Sequence, residues 1–299
     1  MISKKQEITA DFALVIVALV WGVTFLPMAK ALQTNGVFTL LFWRFLIASI
    51  LMVLISLKFI KKIDIKGIKY GLIVGVFLFF GFALQTFALK YTLSSTVAFI
   101  TGLVVVFVPF LMWAIFKLNI KFHSYLGAIF AAVGLYILCD GDLGFGLGEL
   151  LSLVCAFAYA FEIILAGYYV KKCEIFIMVT TEFIVVAVLS FICAIIFEGS
   201  YLPVLDSAFI WAVGITATFA TVFAFFVQNI AQRYTSSVKT ALILTLEPVS
   251  AGFIGYYFGA EILSTWQIFG AFIILVGILI SEIGSYFFET IVNKKRLKR

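Results

Sequence analysis

The chain has little charge and few of the residues that enzymes use for metal or nucleophilic chemistry. Only 12% of its 299 residues are charged, and it has a single histidine, His123. Its four cysteines show no C-x-x-C or ligand-like spacing, which argues against a metal site. No G-x-x-x-x-G-K-[ST] motif occurs, which argues against an ATP-driven pump. We therefore expect neither a metal nor a cofactor.

Apolar residues are abundant instead. They make up 64% of the chain, and the mean hydropathy is +1.20. A soluble domain is roughly 45–50% apolar and about 25% charged. No soluble fold of this length hides so much apolar surface, so lipid must surround most of the chain. One crossing takes about 20 helical residues, and about ten crossings use nearly the whole sequence.

We predict an all-α membrane protein with ten transmembrane helices, because backbone polar groups in lipid must be satisfied within each segment. The first apolar run is interpreted as span 1 rather than a removed signal peptide, since no small-residue cleavage site is evident. The lipid bilayer is thus one expected partner. The predicted spans are 11–31, 37–57, 70–89, 94–116, 122–139, 148–169, 176–197, 208–229, 237–258 and 266–288.

Positive charge collects on one side of these spans, here called the basic face. Of the 21 Lys and Arg residues, only Lys30 and Lys90 fall on the other side, here called the far face, and Arg44 lies within span 2. Because Lys-rich and Arg-rich loops stay cytoplasmic, we expect both termini inside and a bacterial inner-membrane location. This pattern accounts for the net charge of +6 without a nucleic-acid partner. The basic-face residues are Lys4, Lys5, Lys58, Lys61, Lys62, Lys66, Lys69, Lys117, Lys121, Lys171, Lys172, Arg233, Lys239, Lys294, Lys295, Arg296, Lys298 and Arg299.

The chain also repeats itself. Nearer the N-terminus the offset is 138 residues, so Trp21 matches Tyr159 and Arg44 matches Glu182. Each half holds five predicted spans, and this odd number places the halves in opposite orientations. We therefore predict two inverted five-helix repeats, 1–140 and 141–299, a construction typical of secondary transporters with a midplane site. At an offset of 143, the matched pairs include Phe82/Phe225, Gln85/Gln228, Thr92/Thr235 and Ser94/Ser237.

Several motifs resemble the EamA type of the drug/metabolite transporter superfamily. They are Trp21-Gly22, Phe99 to Leu103 with Val108-Pro109, Ala241 to Pro248, and Gly259-Ala260-Glu261 followed by Gly270 and Gly277. The resemblance implies ten spans and a central cavity lined mainly by spans 1, 3, 4, 6, 8 and 9. It also implies export of amino acids or related metabolites, although some relatives import vitamins or nucleotides. Leu118 stands where the second repeat has Glu261, so that acid is expected to be dispensable.

Ionisable groups inside spans are functional candidates, because each costs several kcal/mol unless it is paired or hydrated. Arg44 is a candidate anchor for a carboxylate or phosphate group. Glu182, on the equivalent helix, is a candidate proton or amine site. A structural salt bridge, or side chains that extend to the interface, is the alternative for both.

Glu162 occupies the position that matches Thr24 under the offset of 138. Trp21 and Tyr159 lie one helical turn away from this pair, so the four form a candidate cavity wall. Such a wall suits a zwitterionic amino acid, whose ammonium group packs well on aromatic rings. The alternative is that both rings only pack against other helices or face lipid.

Glu247 precedes Pro248 within span 9, and proline kinks a helix. A protonatable carboxyl at a kink is able to couple proton movement to helix bending, which makes a proton a candidate partner. A plain kink with a hydrogen-bonded glutamate fits equally well. Thr101 and Thr245 are added as candidate cavity residues because they lie in the motifs that resemble the family.

Gln85 and Gln228 form an identical pair under the repeat, and a buried amide requires hydrogen-bond partners. They either bind the substrate or bridge helices, and bridging is favoured.

An acidic cluster at Asp140, Asp142 and Glu149 offers a rival hypothesis, an integral-membrane enzyme. No histidine accompanies these acids in their glycine-rich stretch, so a linker is favoured. The sequence therefore predicts a secondary transporter of a small molecule.

Overall fold

The computed structural model describes residues 3–58, 63–118, 122–138, 146–259, 264–270, 272–277 and 280. These residues are helical apart from short connections. Cys139, Asp140, Asp142, Glu261 and the predicted basic tail lie outside the described residues, as does the predicted boundary between the repeats at 140/141.

Among the described residues, eight helices are long and apolar enough to cross a membrane. They confirm the predicted all-helical membrane protein, while the total of ten spans stays a prediction. Two shorter apolar helices, α5 (Phe122–Leu138) and α10 (Thr265–Gly277), fall where spans 5 and 10 were predicted. The eight long helices are α1 (Lys4–Ala31), α2 (Val37–Ser56), α3 (Ile65–Ala88), α4 (Ser94–Phe116), α6 (Leu147–Tyr169), α7 (Ile175–Glu198), α8 (Ser207–Ala231) and α9 (Ser237–Phe258).

Helix α1 begins well before the predicted start of span 1. Ser3 accepts a hydrogen bond from the backbone N–H of Gln6, and the Gln6 side chain accepts one from the backbone N–H of Ser3. This reciprocal capping satisfies two backbone donors at once. The helix therefore begins in the polar flank, at Lys4, instead of at the first apolar residue.

Contacts between helix ends define two opposite faces of the bundle. On the basic face, the start of α9 meets the start of α1 through Lys239 and Glu7. On the far face, the end of α1 meets the start of α8 through Thr34 and Asp206. Asp64, at the start of α3, bonds to Glu174, which follows the Cys173 carbonyl that accepts from Arg233, so the start of α3 lies on the basic face.

Helices of the first half pack mainly against helices of the second half. Helix α3 lies against both α6 and α7, α2 lies against α7, and α1 lies against α8 and α9. The α3–α7 contact depends on small residues: a Cβ atom at Gly71 would lie 2.5 Å from the carbonyl oxygen of Met178, and one at Gly75 would lie 2.8 Å from the Cβ of Val185. Small residues allow such close approach of membrane helices. The halves therefore interleave along α2, α3 and α7.

Helices α4 and α9 are interrupted at matching positions. Helix α4 breaks at Gly102–Leu103 and α9 breaks at Thr245, and Gly102 matches Thr245 under the offset of 143. In α9 the interruption precedes the predicted kink residue, Pro248, which lies inside the continuous stretch Leu246–Phe258. Proline clashes with the carbonyl four residues earlier, here that of Leu244, so the pattern of helical hydrogen bonds breaks just after that residue.

Carboxylates join α7 to α2 on the far face and to α3 on the basic face. On the far face, Glu198 accepts hydrogen bonds from the backbone N–H groups of Phe38 and Thr39, each at 2.9 Å. On the basic face, Asp64 accepts one from the backbone N–H of Glu174 at 2.7 Å. This bond lowers the pKa of Asp64 below its ordinary value. Helix N-termini favour negative charge, so these acids fix how α7 meets α2 and α3.

The turn between α7 and α8 is fixed in the same way. Asp206 accepts hydrogen bonds from the Thr34 hydroxyl at 2.6 Å and from the backbone N–H of Phe209 at 2.7 Å, and both lower its pKa. Stability that depends on a lowered pKa is present above the ordinary pKa and is lost as the pH falls through the lowered value. This junction is therefore weakened by acid.

We expect Glu198→Ala to lower the free energy of unfolding by about 1–2 kcal/mol, because two backbone donors at the start of α2 lose their acceptor. The loss is measured by thermal unfolding in detergent. The matched control is Glu198→Gln, which keeps one carbonyl oxygen and should lose less. Equal stability of all three proteins would show that the cap contributes nothing.

Candidate functional site

A cavity lies between the two halves. Its lining comes from α1, α3, α4, α6, α8 and α9, the six helices that the family resemblance implies, and from α2. Three predicted site residues, Glu182, Gln228 and Pro248, are outside this lining. The nine that line the cavity are Trp21, Thr24, Arg44, Gln85, Thr101, Tyr159, Glu162, Thr245 and Glu247.

The Arg44 guanidinium is the cationic group of the cavity. The residue is only 3% exposed, and its Nε donates a hydrogen bond to the Thr221 hydroxyl at 2.8 Å. The guanidinium also lies over the ring of Phe82, 4.5 Å from its centroid, and 5.4 Å from that of Phe45. No carboxylate of the described residues forms an ion pair with it. A guanidinium has five N–H donors, so most of them are left for a bound molecule.

A π-helical segment of α8, Thr216–Phe223, positions Arg44 and Trp21. The backbone carbonyl of Ala220 accepts a hydrogen bond from Trp21 Nε1 at 2.8 Å and one from the Arg44 guanidinium at 3.5 Å. Such segments interrupt the regular α-helical ladder and are frequent at functional sites. The matching stretch of α3 is a regular α-helix. The two halves therefore differ at the point where the cation is held.

Two carboxyl groups also line the cavity. Glu162 is buried on α6 and accepts hydrogen bonds from Gln228 Nε2, 3.3 Å from each carboxyl oxygen. Glu247 on α9 is half-buried and has no hydrogen bond to any residue that the structure describes. The cavity thus combines one guanidinium with two acids, one of which is tied to a neighbouring helix.

The glutamine pair behaves as helix bridges, the favoured prediction. Gln228 on α8 donates to Glu162 on α6, and Gln85 on α3 accepts from the Tyr159 hydroxyl on α6 at 3.1 Å. Gln85 in addition lines the cavity, so contact with a bound molecule stays open for it. Both bridges reach α6.

Tyr159 is held by a close approach of α3. A Cβ atom at Gly81 would lie 2.5 Å from Cε1 of the Tyr159 ring, so glycine is required there. The ring also packs edge-on against Phe82, with centroids 5.6 Å apart. Trp21 packs in turn against Phe225, with centroids 4.9 Å apart. Aromatic faces therefore line the same cavity as the charged groups.

Glu182 lies outside the cavity. It is fully buried on α7, and neither carboxyl oxygen has a hydrogen-bond partner among the described residues. The suggested salt bridge with Arg44 is not formed, because Arg44 bonds to α8 instead. Pro248 lies beyond Glu247 and acts on the site only through the course of α9.

The sequence analysis missed several residues of the site. Thr221 and the Ala220 carbonyl hold Arg44, and nothing in their sequence context predicts a π-helical segment. Phe82 and Phe225 do line the cavity, and their match under the repeat is a signal. That signal is hidden among 35 phenylalanines.

We expect Arg44→Met to leave the ligand-free protein as stable as before or more stable, since an unpaired buried charge costs several kcal/mol. Thermal unfolding without added solute measures this. The matched control is Arg233→Met on the basic face. Arg233 donates to the carbonyls of Val170 at 2.9 Å and Cys173 at 3.3 Å, so its loss should destabilise. Equal destabilisation by both changes would assign Arg44 a structural role.

The known proteins that this chain is similar to include a relative and a solved structure of similar length. An "Uncharacterized transporter" from Archaeoglobus fulgidus is 34% identical over 275 residues, which are 92% of this chain and 86% of that protein. A solved structure described only as "Crystal structure of protein" has a TM-score of 0.75. It is 17% identical, and the match covers 92% of this chain and 98% of that chain, which supports the fold alone.

The profile of the EamA-like transporter family matches this chain twice, over residues 8–139 and 146–282. The two matches together span most of the sequence. The resemblance inferred from the motifs is thereby confirmed, and the chain belongs to the EamA-like transporter family.

Proposed function

We propose that this transporter of the drug/metabolite type exports amino acids or related small metabolites by alternating access. One observation carries the substrate class: a single cavity places the Arg44 guanidinium together with the carboxyl groups of Glu162 and Glu247. An amino acid has a carboxylate that suits the guanidinium and an ammonium that suits an acid or an aromatic face. Membership of a transporter family favours this over an enzyme.

The proposed construction is two inverted five-helix repeats that together make ten spans. The two family matches, the matched breaks in α4 and α9, and the short helices α5 and α10 all support it. Near-equivalent halves in opposite orientations are able to exchange conformations, so that a cavity open to one side becomes open to the other.

The basic face is proposed to be cytoplasmic, in a bacterial inner membrane, because Lys-rich and Arg-rich loops stay inside. On the far face, a second and more open cavity lies between the ends of α1 and α9 and the α3–α4 turn. It shares Leu89 with the central cavity. The described conformation is therefore proposed to be open outward, the state from which an exporter releases its substrate.

A proton is the proposed coupling ion. Glu247 is the proposed proton site, because it lines the cavity without a hydrogen bond to the described residues and lies next to the break at Thr245. Protonation there would change the charge of the cavity and the local polarity beside the break. Glu182 is a second proposed site, because a fully buried carboxyl without a partner is most stable when neutral.

Arg44→Ala should reduce uptake of amino acids into proteoliposomes about tenfold or more, because a charge-assisted hydrogen bond is lost. The corresponding amines, which lack the carboxylate, should be affected much less. Arg44→Lys is the matched control and should retain part of the amino acid uptake. An equal loss for amino acids and amines would count against carboxylate recognition.

Glu247→Gln should abolish the dependence of transport on a pH gradient while leaving membrane insertion intact, because glutamine cannot release a proton. Proteoliposomes with and without an imposed gradient measure this. Glu149→Gln, a change outside both cavities, is the matched control. Unchanged transport at every pH would remove Glu247 from the mechanism.

The direction of transport is tested by metabolite profiling of cells with and without the protein. An exporter should enrich amino acids or related metabolites in the medium. Enrichment of a vitamin or nucleotide inside the cell would instead identify an importer of the same fold.

A further inference from the structure

Buried polar oxygens without hydrogen-bond partners collect between the central cavity and the basic face. Among the described residues, six such atoms lie in this region. They belong to α1, to α9, to the end of α8 and to the turn after α8. They are Asp11 Oδ1, Gln228 Oε1, Asn229 Oδ1, Gln232 Oε1, Thr235 Oγ1 and Thr240 Oγ1. Buried polar groups are almost always hydrogen-bonded, so such a group of exceptions requires an explanation.

This polar zone continues the lining of the cavity. Gln228 bonds to Glu162, a cavity residue, and Gln232 Nε2 donates to the carbonyl of Ile163 at 2.9 Å. Ile163 itself lines the cavity, and its carbonyl also accepts from the Ser237 hydroxyl at 3.3 Å. The zone therefore leads from the substrate site toward the basic face.

The internal repeat indicates the function of this polar zone. Leu89, Thr92 and Ser94 line the cavity on the far face. Under the offset of 143 they match Gln232, Thr235 and Ser237, which are buried in the zone. Leu89 and Thr92 are partly exposed, whereas Gln232 and Thr235 are buried, so these two positions form an open mouth in one half and a closed one in the other; Ser94 and Ser237 are buried in both halves. Hydration of the closed mouth in a second conformation would satisfy its unpartnered oxygens.

An ionic cluster closes this end of the bundle. Lys239 Nζ, at the start of α9, lies 2.7 Å from Asp11 Oδ2 and 3.0 Å from Glu7 Oε1, both near the start of α1. The Lys239 side chain is 17% exposed, and that of Asp11 is 20% exposed. These contacts join the first half to the second at the face where the path is closed. Partly buried pairs that share one cation are stronger than isolated surface pairs.

We propose that Lys239, Asp11 and Glu7 form a latch that holds the basic-face end of the transport path closed, and that Gln232, Thr235 and Thr240 line the vestibule that opens when the latch breaks. This inference rests on the proposed alternating-access function. Substrate from the basic face enters through that vestibule, where its polar ends meet the amide and hydroxyl oxygens that have no partner among the described residues.

The test uses two matched cysteine probes, Thr235→Cys on the closed side and Thr92→Cys on the open side, in a chain whose native cysteines are replaced by alanine. A membrane-impermeant maleimide is applied to each side in right-side-out and inside-out vesicles. With the latch intact, the Thr92→Cys probe should react and the Thr235→Cys probe should react slowly.

Lys239→Gln should speed labelling of the Thr235→Cys probe at least tenfold and slow labelling of the Thr92→Cys probe. The charge-swapped pair Lys239→Glu with Asp11→Lys should restore the original pattern. Lys171→Gln, an exposed lysine on the same face, is the control and should change neither rate.

Two results would overturn the latch. One is unchanged labelling in Lys239→Gln. The other is faster labelling of the Thr235→Cys probe without any change at the Thr92→Cys probe and without rescue by the charge-swapped pair. That result would indicate local fraying of the helix ends. Labelling requires no substrate, so the amino acid uptake assay tests the proposed function separately, and either can fail alone.

Discussion

A buried guanidinium that forms no ion pair within the described part of the chain is the constraint on which the site depends. Burial of a charge costs several kcal/mol unless other polar groups stabilise the charge. Here α8 departs from α-helical hydrogen bonding over Thr216–Phe223, and its Ala220 carbonyl and Thr221 hydroxyl accept from Arg44. The ring of Phe82 covers the guanidinium. This arrangement keeps Arg44 charged in a cavity that an anionic group can enter. Stabilising contacts elsewhere in the bundle must offset the cost of burying that charge.

That stability comes from helices that pack across the two halves. Helix α3 lies between α6 and α7, and Gly71 and Gly75 bring its backbone against α7. Carboxylates fix α7 at both faces: Glu198 joins its end to the start of α2, and Asp64 joins its start to the start of α3. Helices that are fixed at their ends form the rigid part of the bundle. The parts suited to move are therefore the interrupted helices α4 and α9 beside the cavity, together with the ion cluster around Lys239 that closes one end.

Much of the site was predictable because lipid makes an ionisable residue conspicuous. Arg44, Glu162 and Glu247 stand out in any apolar segment, and all three line one cavity. The repeat also pointed to Gln85 and Gln228, although it did not say that both bond to α6. Glu182 was grouped with Arg44 because the repeat pairs them, yet each helix is rotated by its own neighbours, and its carboxyl lies outside the cavity. The π-helical segment of α8 was not predictable, because its cause lies in contacts with α1 and α2.

The sequence by itself determined that the chain is an all-helical membrane protein of the EamA-like family, where most helices lie, and which polar groups are unusual. These properties follow from hydropathy, charge and local motifs, which are read along the chain. Only the tertiary structure decided that Trp21 and Arg44 bond to the same carbonyl, that Glu162 is tied to Gln228, and that Lys239 bridges α9 to α1. Each of these depends on the rotation and depth of helices far apart in sequence, and packing between helices sets both.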